Sequence, residues 1–386
     1  MPQAWYEIEN IDQLDTPALV VYPERVCENI RLAIEMVGSP DRLRPHVKTH
    51  KSPAVTRLML GAGIRRFKCA TIAEAEMLAG EGAPDVLLAY QHIGPKALRL
   101  AALIRKFPAT SFSCLIDNTE AAEAMAKVFA AAGLDVPVYL DINVGMDRTG
   151  IAAGPAAVDL YRTAQRVEGI TPVGLHAYDG HIRDADPALR KQKCDEAFAG
   201  VISLQAAIAE LAAGEAPEAG RNAAEGSRAG VTIIAGGSPT FPIHARRPPH
   251  IQCSPGTFVY WDKGYGDQFP DQPFSSAALV VTRVISLRGD TRLCLDLGHK
   301  SIAPENDITH RAFFLNGPGL RAVGQSEEHL VVEAGAGHQY GIGDIFYGMP
   351  FHICPTVALY ERAMTIESGR LTGDWATTAR DRRLTV

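Results

Sequence analysis

Eight short apolar or β-branched runs, separated by longer segments with helical apolar spacing, occupy residues 40–262 and constrain the fold more than any other feature of the chain. The predicted strands are Leu43–Val47, Arg66–Ala70, Asp85–Tyr90, Ser111–Ile116, Val136–Ile142, Thr171–Ala177, Val231–Ala235 and His250–Cys253. Between them Thr71–Gly82, Pro95–Lys106, Asn118–Gly133, Pro155–Val167 and Pro187–Gly214 have the patterning of amphipathic helices. Strands alternating with helices in this number predict a (β/α)8 barrel in preference to an open doubly wound sheet. The Gly/Ala/Glu-rich stretch Glu215–Gly230 is expected to be a surface loop.

After Asp262 the texture changes to short strands, Ala277–Ser286, Arg292–Leu297, His329–Glu333 and Asp344–Gly348, punctuated by Gly, Pro and Asp. That pattern predicts a mainly antiparallel β domain, and the strand-like Pro17–Tyr22 is placed to pair with it. The expected fold class is therefore α/β, a barrel over 24–262 with a second β domain built from 1–23 plus 263–386.

Composition excludes several partners. The 38 basic and 44 acidic residues give a net charge of -6 with no long run of either sign, a poor footprint for nucleic acid or an anionic membrane. No apolar stretch approaches the roughly 20 residues that span a bilayer, and the N-terminus carries acids where a secretory signal carries bases. A cytoplasmic location is expected. The 7 cysteines are odd in number, scattered and free of C-x-x-C pairs, which argues against a disulfide framework.

Four segments could carry chemistry. In Arg44-Pro45-His46-Val47-Lys48-Thr49-His50-Lys51 a lysine ends the first barrel strand, on the face where such barrels keep their active sites. A lysine desolvated there can act as an amine nucleophile toward an aldehyde cofactor; a solvated rim loop has the same composition. Gly236-Gly237-Ser238-Pro239-Thr240 follows the seventh strand, where backbone N–H groups often cradle phosphate, although a tight strand-to-helix turn needs glycines equally. Met146-Asp147-Arg148-Thr149-Gly150 brings Arg148 to the same barrel face, or simply forms a capping loop. His352-Ile353-Cys354, read as a strand, puts an imidazole and a thiol on one face as two ligands of an open metal site, or as an unrelated histidine beside a buried cysteine.

Taken in order, these segments resemble the D-threonine aldolase and D-serine dehydratase family, which shares the alanine-racemase type of pyridoxal-phosphate (PLP) barrel. The resemblance runs from Leu14-Asp15-Thr16-Pro17-Ala18 to His352-Ile353-Cys354-Pro355-Thr356, and its most specific pieces are RPHVKTHK at 44–51, GGSPT at 236–240, PGTFVYWD at 255–262 and the late His-x-Cys pair.

It implies that Lys48 forms the Schiff base with PLP and that Arg148 lies near the cofactor's 3-oxygen. Gly236, Gly237, Ser238, Thr240, Gly256 and Thr257 would hold the phosphate, and Tyr178 and His181, in Ala-Tyr-Asp-Gly-His, would lie near the substrate. His352 and Cys354 would bind a divalent metal, zinc, manganese or magnesium. The implied activity is cleavage of a small D-β-hydroxy-α-amino acid to glycine and an aldehyde, with His181 as one candidate base. The alternatives are a dehydratase giving a 2-oxo acid and ammonia, and a PLP-binding protein without turnover. A thiolate ligand tilts toward zinc and the dehydratase; the Ala-Tyr-Asp-Gly-His stretch tilts toward the aldolase. The resemblance also implies a homodimer. Arg183, Arg246 and Arg247 are candidates to receive a second substrate carboxylate.

Overall fold

The structure is a computed structural model that describes residues 4–214 and 231–386; the loop expected at 215–230 lies outside the described residues. The chain divides into two compact units. One comprises 1–33, 48–59 and 257–381, and the other 34–47, 60–256 and 382–386. Residues 24–33, 48–59 and 257–262 thus group with the strand-rich unit, whereas the sequence pattern had assigned them to the barrel.

In the barrel unit the parallel strands Arg66–Cys69, Asp85–Gln91, Ser111–Ile116, Val136–Asn143, Ile170–Ala177, Thr232–Ala235 and Ile251–Cys253 follow one another around a sheet. The two-residue strand Ile151–Ala152 pairs with Val136–Asn143 off this path. Residues 43–47, expected to be a full strand, form only isolated parallel bridges, Leu43 to Cys253 and His46 to Lys68. Those bridges, with Arg44 N donating to Cys253 O at 2.8 Å and Val47 N to Lys68 O at 2.9 Å, close the sheet on itself. The Arg44 side chain seals the seam. It is 1% exposed, grips Asp85 bidentately at 2.6 and 2.8 Å, and donates from Nε to Gln252 at 2.7 Å.

Leu87, Leu115, Tyr139 and Ile234 pack together as an apolar cluster drawn from four of these strands. The surrounding helices start where their sequences say they should. Thr71 Oγ1 accepts from Glu74 N at 3.1 Å, capping Ile72–Gly80, while the Glu74 carboxylate reaches back to accept from Ala70 N at 2.6 Å. Asn118 caps Thr119–Ala131 through Ala121 N, at 2.8 Å.

The other unit holds a nine-stranded sheet. Ala278–Arg288 is its hub, pairing antiparallel with Ala18–Val21, Arg292–Leu295 and Ile345–Pro350. Ala18–Val21 also lies parallel to Arg362–Glu367, which turns back into Arg370–Ala376. Alternate residues Ala18, Val20 and Tyr22 face a core shared with Leu279, Val281, Tyr347 and Ile366, as the two-residue period of a strand requires. Strands Ala312–Phe314, Arg321–Gln325, Arg362–Glu367 and Arg370–Ala376 were not anticipated, the first because it is only three residues long and the others because charged residues, and in two of them a glycine, interrupt the apolar pattern. Among the described residues no helix is long and apolar enough to cross a membrane.

Burial of His92 predicts acid sensitivity in the barrel unit. His92 is 2% exposed, and burial, reinforced by the Lys96 and Arg99 charges, lowers its pKa to about 4 against the Tyr90 carbonyl that opposes the shift. Its folded pKa lies below the unfolded one, so its contribution is complete above about pH 6.5 and is lost as pH falls toward 4. By pH 5 the cost is about 2 kcal/mol. Urea unfolding at pH 7.5 and pH 5 should show a smaller stability loss for His92→Gln than for the unaltered chain, by about that amount; equal losses would remove His92 as the cause.

Candidate active site

Lys48 follows directly on the last closing residue of the barrel and is half-buried. It belongs to the same compact unit as Thr257, His352 and Cys354. Cys354 Sγ lies 3.1 Å from Thr49 Oγ1 and 3.7 Å from Thr257 Oγ1. Burial alone would raise the Cys354 pKa, but a hydrogen bond with His352 and the charges of His352 and Lys48 outweigh it and hold the thiol below its usual value. Burial likewise opposes charge on His352. The Cys354 sulfur, the Glu305 carboxylate and the Asp262 charge prevail and raise that imidazole to about 9.

These two residues do not lie on a strand, as the sequence reading had it. The strand ends at Pro350, His352 takes the N-cap of the helix Ile353–Ala358, and Asp262 Oδ2 accepts Ile353 N at 3.1 Å. Pro355, which lacks the N–H that a continuing ladder needs, suits the first helical turn. The two groups nevertheless perturb each other, the Cys354 sulfur raising the pKa of the imidazole and the imidazole lowering that of the thiol. The imidazole Nδ1 is held by Glu305 Oε1 at 2.5 Å. An imidazole anchored by a carboxylate and lying near a cysteine sulfur offers donors of the type a borderline metal such as zinc takes.

His50 and Ser52 add a second observation close to Lys48. The His50 ring is fully buried, its Nδ1 accepts Ser52 N at 3.1 Å, and its Nε2 has no hydrogen-bond partner among the described residues; the Ser52 hydroxyl is also buried without one. Burial lowers the His50 pKa to about 3, so the ring is neutral and Nε2 carries a proton to donate. Buried polar atoms of this kind beside a lysine fit a bound polar cofactor or substrate.

The barrel unit gathers the other expected residues. The Arg148 guanidinium lies 5.0 Å from the centre of the Tyr178 ring, and a Cβ placed on Gly237 would come within 2.9 Å of that ring, so the glycine lets the 236–240 turn approach Tyr178 closely. Ser238 Oγ accepts Gly256 N at 3.2 Å, tying the two expected phosphate loops together. His181 is exposed, with its Nε2 against Gly145 of the Arg148 loop. Arg247, considered for a substrate carboxylate, is instead paired with Asp195 at 2.7 Å, and Arg183 Nε donates to Gly180 O at 2.9 Å.

Sequence reasoning missed a buried network beneath these residues. Lys68, Asp141 and His176 are each no more than 5% exposed. His176 Nδ1 donates to Asp141 Oδ1 at 2.8 Å, which leaves Nε2 to accept from Lys68 Nζ at 3.4 Å. The second Asp141 oxygen accepts from Thr149 Oγ1 at 2.8 Å and Gln91 Nε2 at 3.1 Å. Burial would raise the Asp141 pKa, yet His176 and these donors pull it down; burial drives His176 down as well, with Lys68 adding to the effect. The available signal was a set of polar residues at the C-terminal ends of apolar strands. Nothing in their sequence spacing shows that they meet.

The chain resembles known proteins over most of its length. The family model for the alanine racemase N-terminal domain matches residues 21–233, and that for the serine dehydratase domain matches residues 277–366. A D-threonine aldolase from Arthrobacter sp is 27% identical over 375 residues, covering 95% of this chain and 93% of that protein. A 3-hydroxy-D-aspartate aldolase from Paracoccus denitrificans is 25% identical over 382 residues, covering 95% and 92%. The solved D-threonine aldolase of Filomicrobium marinum superposes with a TM-score of 0.82 at 25% identity, covering 95% of each chain.

Proposed function

The chain belongs to the alanine racemase N-terminal domain family, and on that premise we propose that it is a PLP- and divalent-metal-dependent lyase that cleaves D-β-hydroxy-α-amino acids to glycine and an aldehyde. The reading rests chiefly on Lys48, His352 and Cys354 falling in one compact unit, in a chain similar over 95% of its length to a D-threonine aldolase.

PLP withdraws electrons from Cα and a divalent cation lowers the pKa of a hydroxyl, so together they supply the electron sink and the Lewis acid. The chain's own residues do the rest. Lys48 anchors the cofactor covalently, and the 236–240 turn with Gly256 and Thr257 receives its phosphate. Arg148 and Tyr178 orient the ring. His352 and Cys354 hold the cation, with Glu305 fixing the imidazole. His181, exposed beside the Arg148 loop, is the candidate acceptor of the β-hydroxyl proton.

The dehydratase reading keeps the same residues and gives Lys48 the Cα proton. What favours it is the match of the serine dehydratase domain model to 277–366, a span that contains His352 and Cys354. Proton NMR of the chain incubated with PLP, zinc or manganese and D-threonine separates the two. Glycine and acetaldehyde are expected; 2-oxobutanoate and ammonia would overturn the aldolase in favour of the dehydratase.

A further inference from the structure

Within the barrel unit a second cluster has the composition of a metal site. Asp179, Cys194 and His244 are all buried, with one potential ligand atom each within 4.8 Å of the others. His244 Nε2 lies 2.8 Å from Asp179 Oδ2 and 3.4 Å from Cys194 Sγ. The hydrogen bonds argue against a cation. Arg247 Nε donates to His244 Nδ1 at 3.1 Å, so Nδ1 is an acceptor and Nε2 is the nitrogen that donates, toward Asp179. With Nδ1 occupied as an acceptor from Arg247, Nε2 could take a metal only by losing the single ring proton, whereas a histidine whose Nδ1 donates to a carboxylate can release Nε2 to a cation. The Cys194 thiol, pushed up to about 12 by burial and then by the Asp179 charge, stays protonated and donates to Asp179 Oδ2 at 3.6 Å.

The remaining Asp179 oxygen accepts from Thr240 Oγ1 at 2.7 Å. Thr240 ends the 236–240 turn, and its Oγ1 also accepts Gly237 N at 3.4 Å. Gly236, at φ +72°, winds directly over this group; a Cβ there would lie 2.5 Å from His244 Cδ2 and 2.9 Å from Thr240 Oγ1. Asp179 also follows Tyr178 immediately. Arg247 is steadied by Asp195 at 2.7 Å and by stacking over Phe198, which packs edge-on to His244.

We infer that the buried chain Arg247–His244–Asp179, acting through the Thr240 hydroxyl, is a positioning device that presets the 236–240 turn for a phosphate monoester, and that it is not a cation site. The Thr240 hydroxyl thereby serves the turn by holding it, since its proton is committed to Asp179. Two buried charge-assisted hydrogen bonds to Asp179 make the backbone of the turn rigid before the ligand arrives, which reduces the entropy cost of binding. The inference rests on the PLP reading and deepens it by naming what selects the phosphorylated cofactor.

The test compares binding of pyridoxal 5'-phosphate and unphosphorylated pyridoxal to the full chain, followed by absorbance, in the unaltered protein and in Asp179→Asn, His244→Leu and His244→Gln. Loss of the Asp179 anchor should weaken pyridoxal phosphate roughly tenfold to a hundredfold and leave pyridoxal within about twofold. His244→Gln, which keeps a donor toward Asp179, should lose less than His244→Leu, and it carries the test if Asp179→Asn does not fold. Equal losses for both ligands, or no loss for either, would overturn the inference while leaving the PLP reading intact. Stoichiometric zinc that survives His352→Ala and disappears with Asp179→Asn would likewise overturn it in favour of a metal site. Failure of the unaltered chain to bind pyridoxal phosphate would sink the functional reading and this inference with it.

Discussion

Lys48→Ala should abolish covalent attachment of PLP and reduce turnover by on the order of 10³-fold or more, because no other group in the proposed site can exchange the cofactor between enzyme and substrate amines. Borohydride reduction followed by peptide mapping reads the attachment directly. The reduced adduct should fall on Lys48 in the unaltered chain and vanish in Lys48→Ala. Lys51→Ala is the control. Lys51 sits at φ +50° and its carbonyl accepts Ala379 N at 3.1 Å, so its backbone serves the local turn. If the adduct survives Lys48→Ala and is lost with Lys51→Ala, the cofactor lysine has been misassigned. Folding should be little affected in either variant, since Lys48 is half-buried and the closing bridges of the barrel precede it.

The second large effect is expected at the metal pair. Chelation should suppress turnover nearly completely while PLP stays bound, and Cys354→Ser should weaken zinc far more than the same change at Cys69, which is buried in a barrel strand. Glu305→Gln tests the support of the ligand. It keeps the size of the side chain but removes the charge that anchors His352 Nδ1, so a tenfold to hundredfold loss of metal affinity is expected, roughly the usual effect of removing such a partner. Metal titration by calorimetry measures the two affinities, and an activity assay after chelation reads the first effect. Full activity after thorough metal removal would reduce His352 and Cys354 to structural residues, and equal effects at Cys354 and Cys69 would deprive Cys354 of any special standing.

Much of the architecture was legible because burial writes itself into local periodicity. Ser111–Ile116, Pro95–Lys106 and Pro187–Gly214 have in the structure the bounds that their apolar spacing predicts, and the other barrel strands differ by one or two residues at an end. Periodicity fails where a segment is held by neighbours instead of by its own pattern. Residues 43–47 look like a strand and are extended, but they make only isolated bridges, because the seam of the barrel is closed partly by the Arg44 side chain. The four strands missed after residue 311 are half-exposed, so their register is set by the strands beside them. His352-Ile353-Cys354 has the spacing of a strand pair and becomes a helix start, since Asp262, some ninety residues earlier, supplies the cap.

The expected site shows the same division. Lys48, Arg148, the GGSPT turn and the His-x-Cys pair lie in short contiguous motifs, and it was their resemblance to a known family that singled them out. Lys68, His176 and Asp141, and the Arg247–His244–Asp179–Thr240 chain, could not be named in that way. Their partners lie tens of residues apart, and which buried donor meets which acceptor is decided by strand register and by the tautomer that a third residue imposes. By itself the sequence determined the alternation of strands and helices, the change to antiparallel texture after residue 262 and the reactive residue types, all properties of local pattern. The closure of the barrel, the grouping of residues 48–59 with the strand-rich unit, and the convergence of Asp179, Cys194 and His244 were decided only in three dimensions. In each of those cases the deciding quantity is which buried polar group finds a partner, and pairing between distant residues leaves no period in the chain.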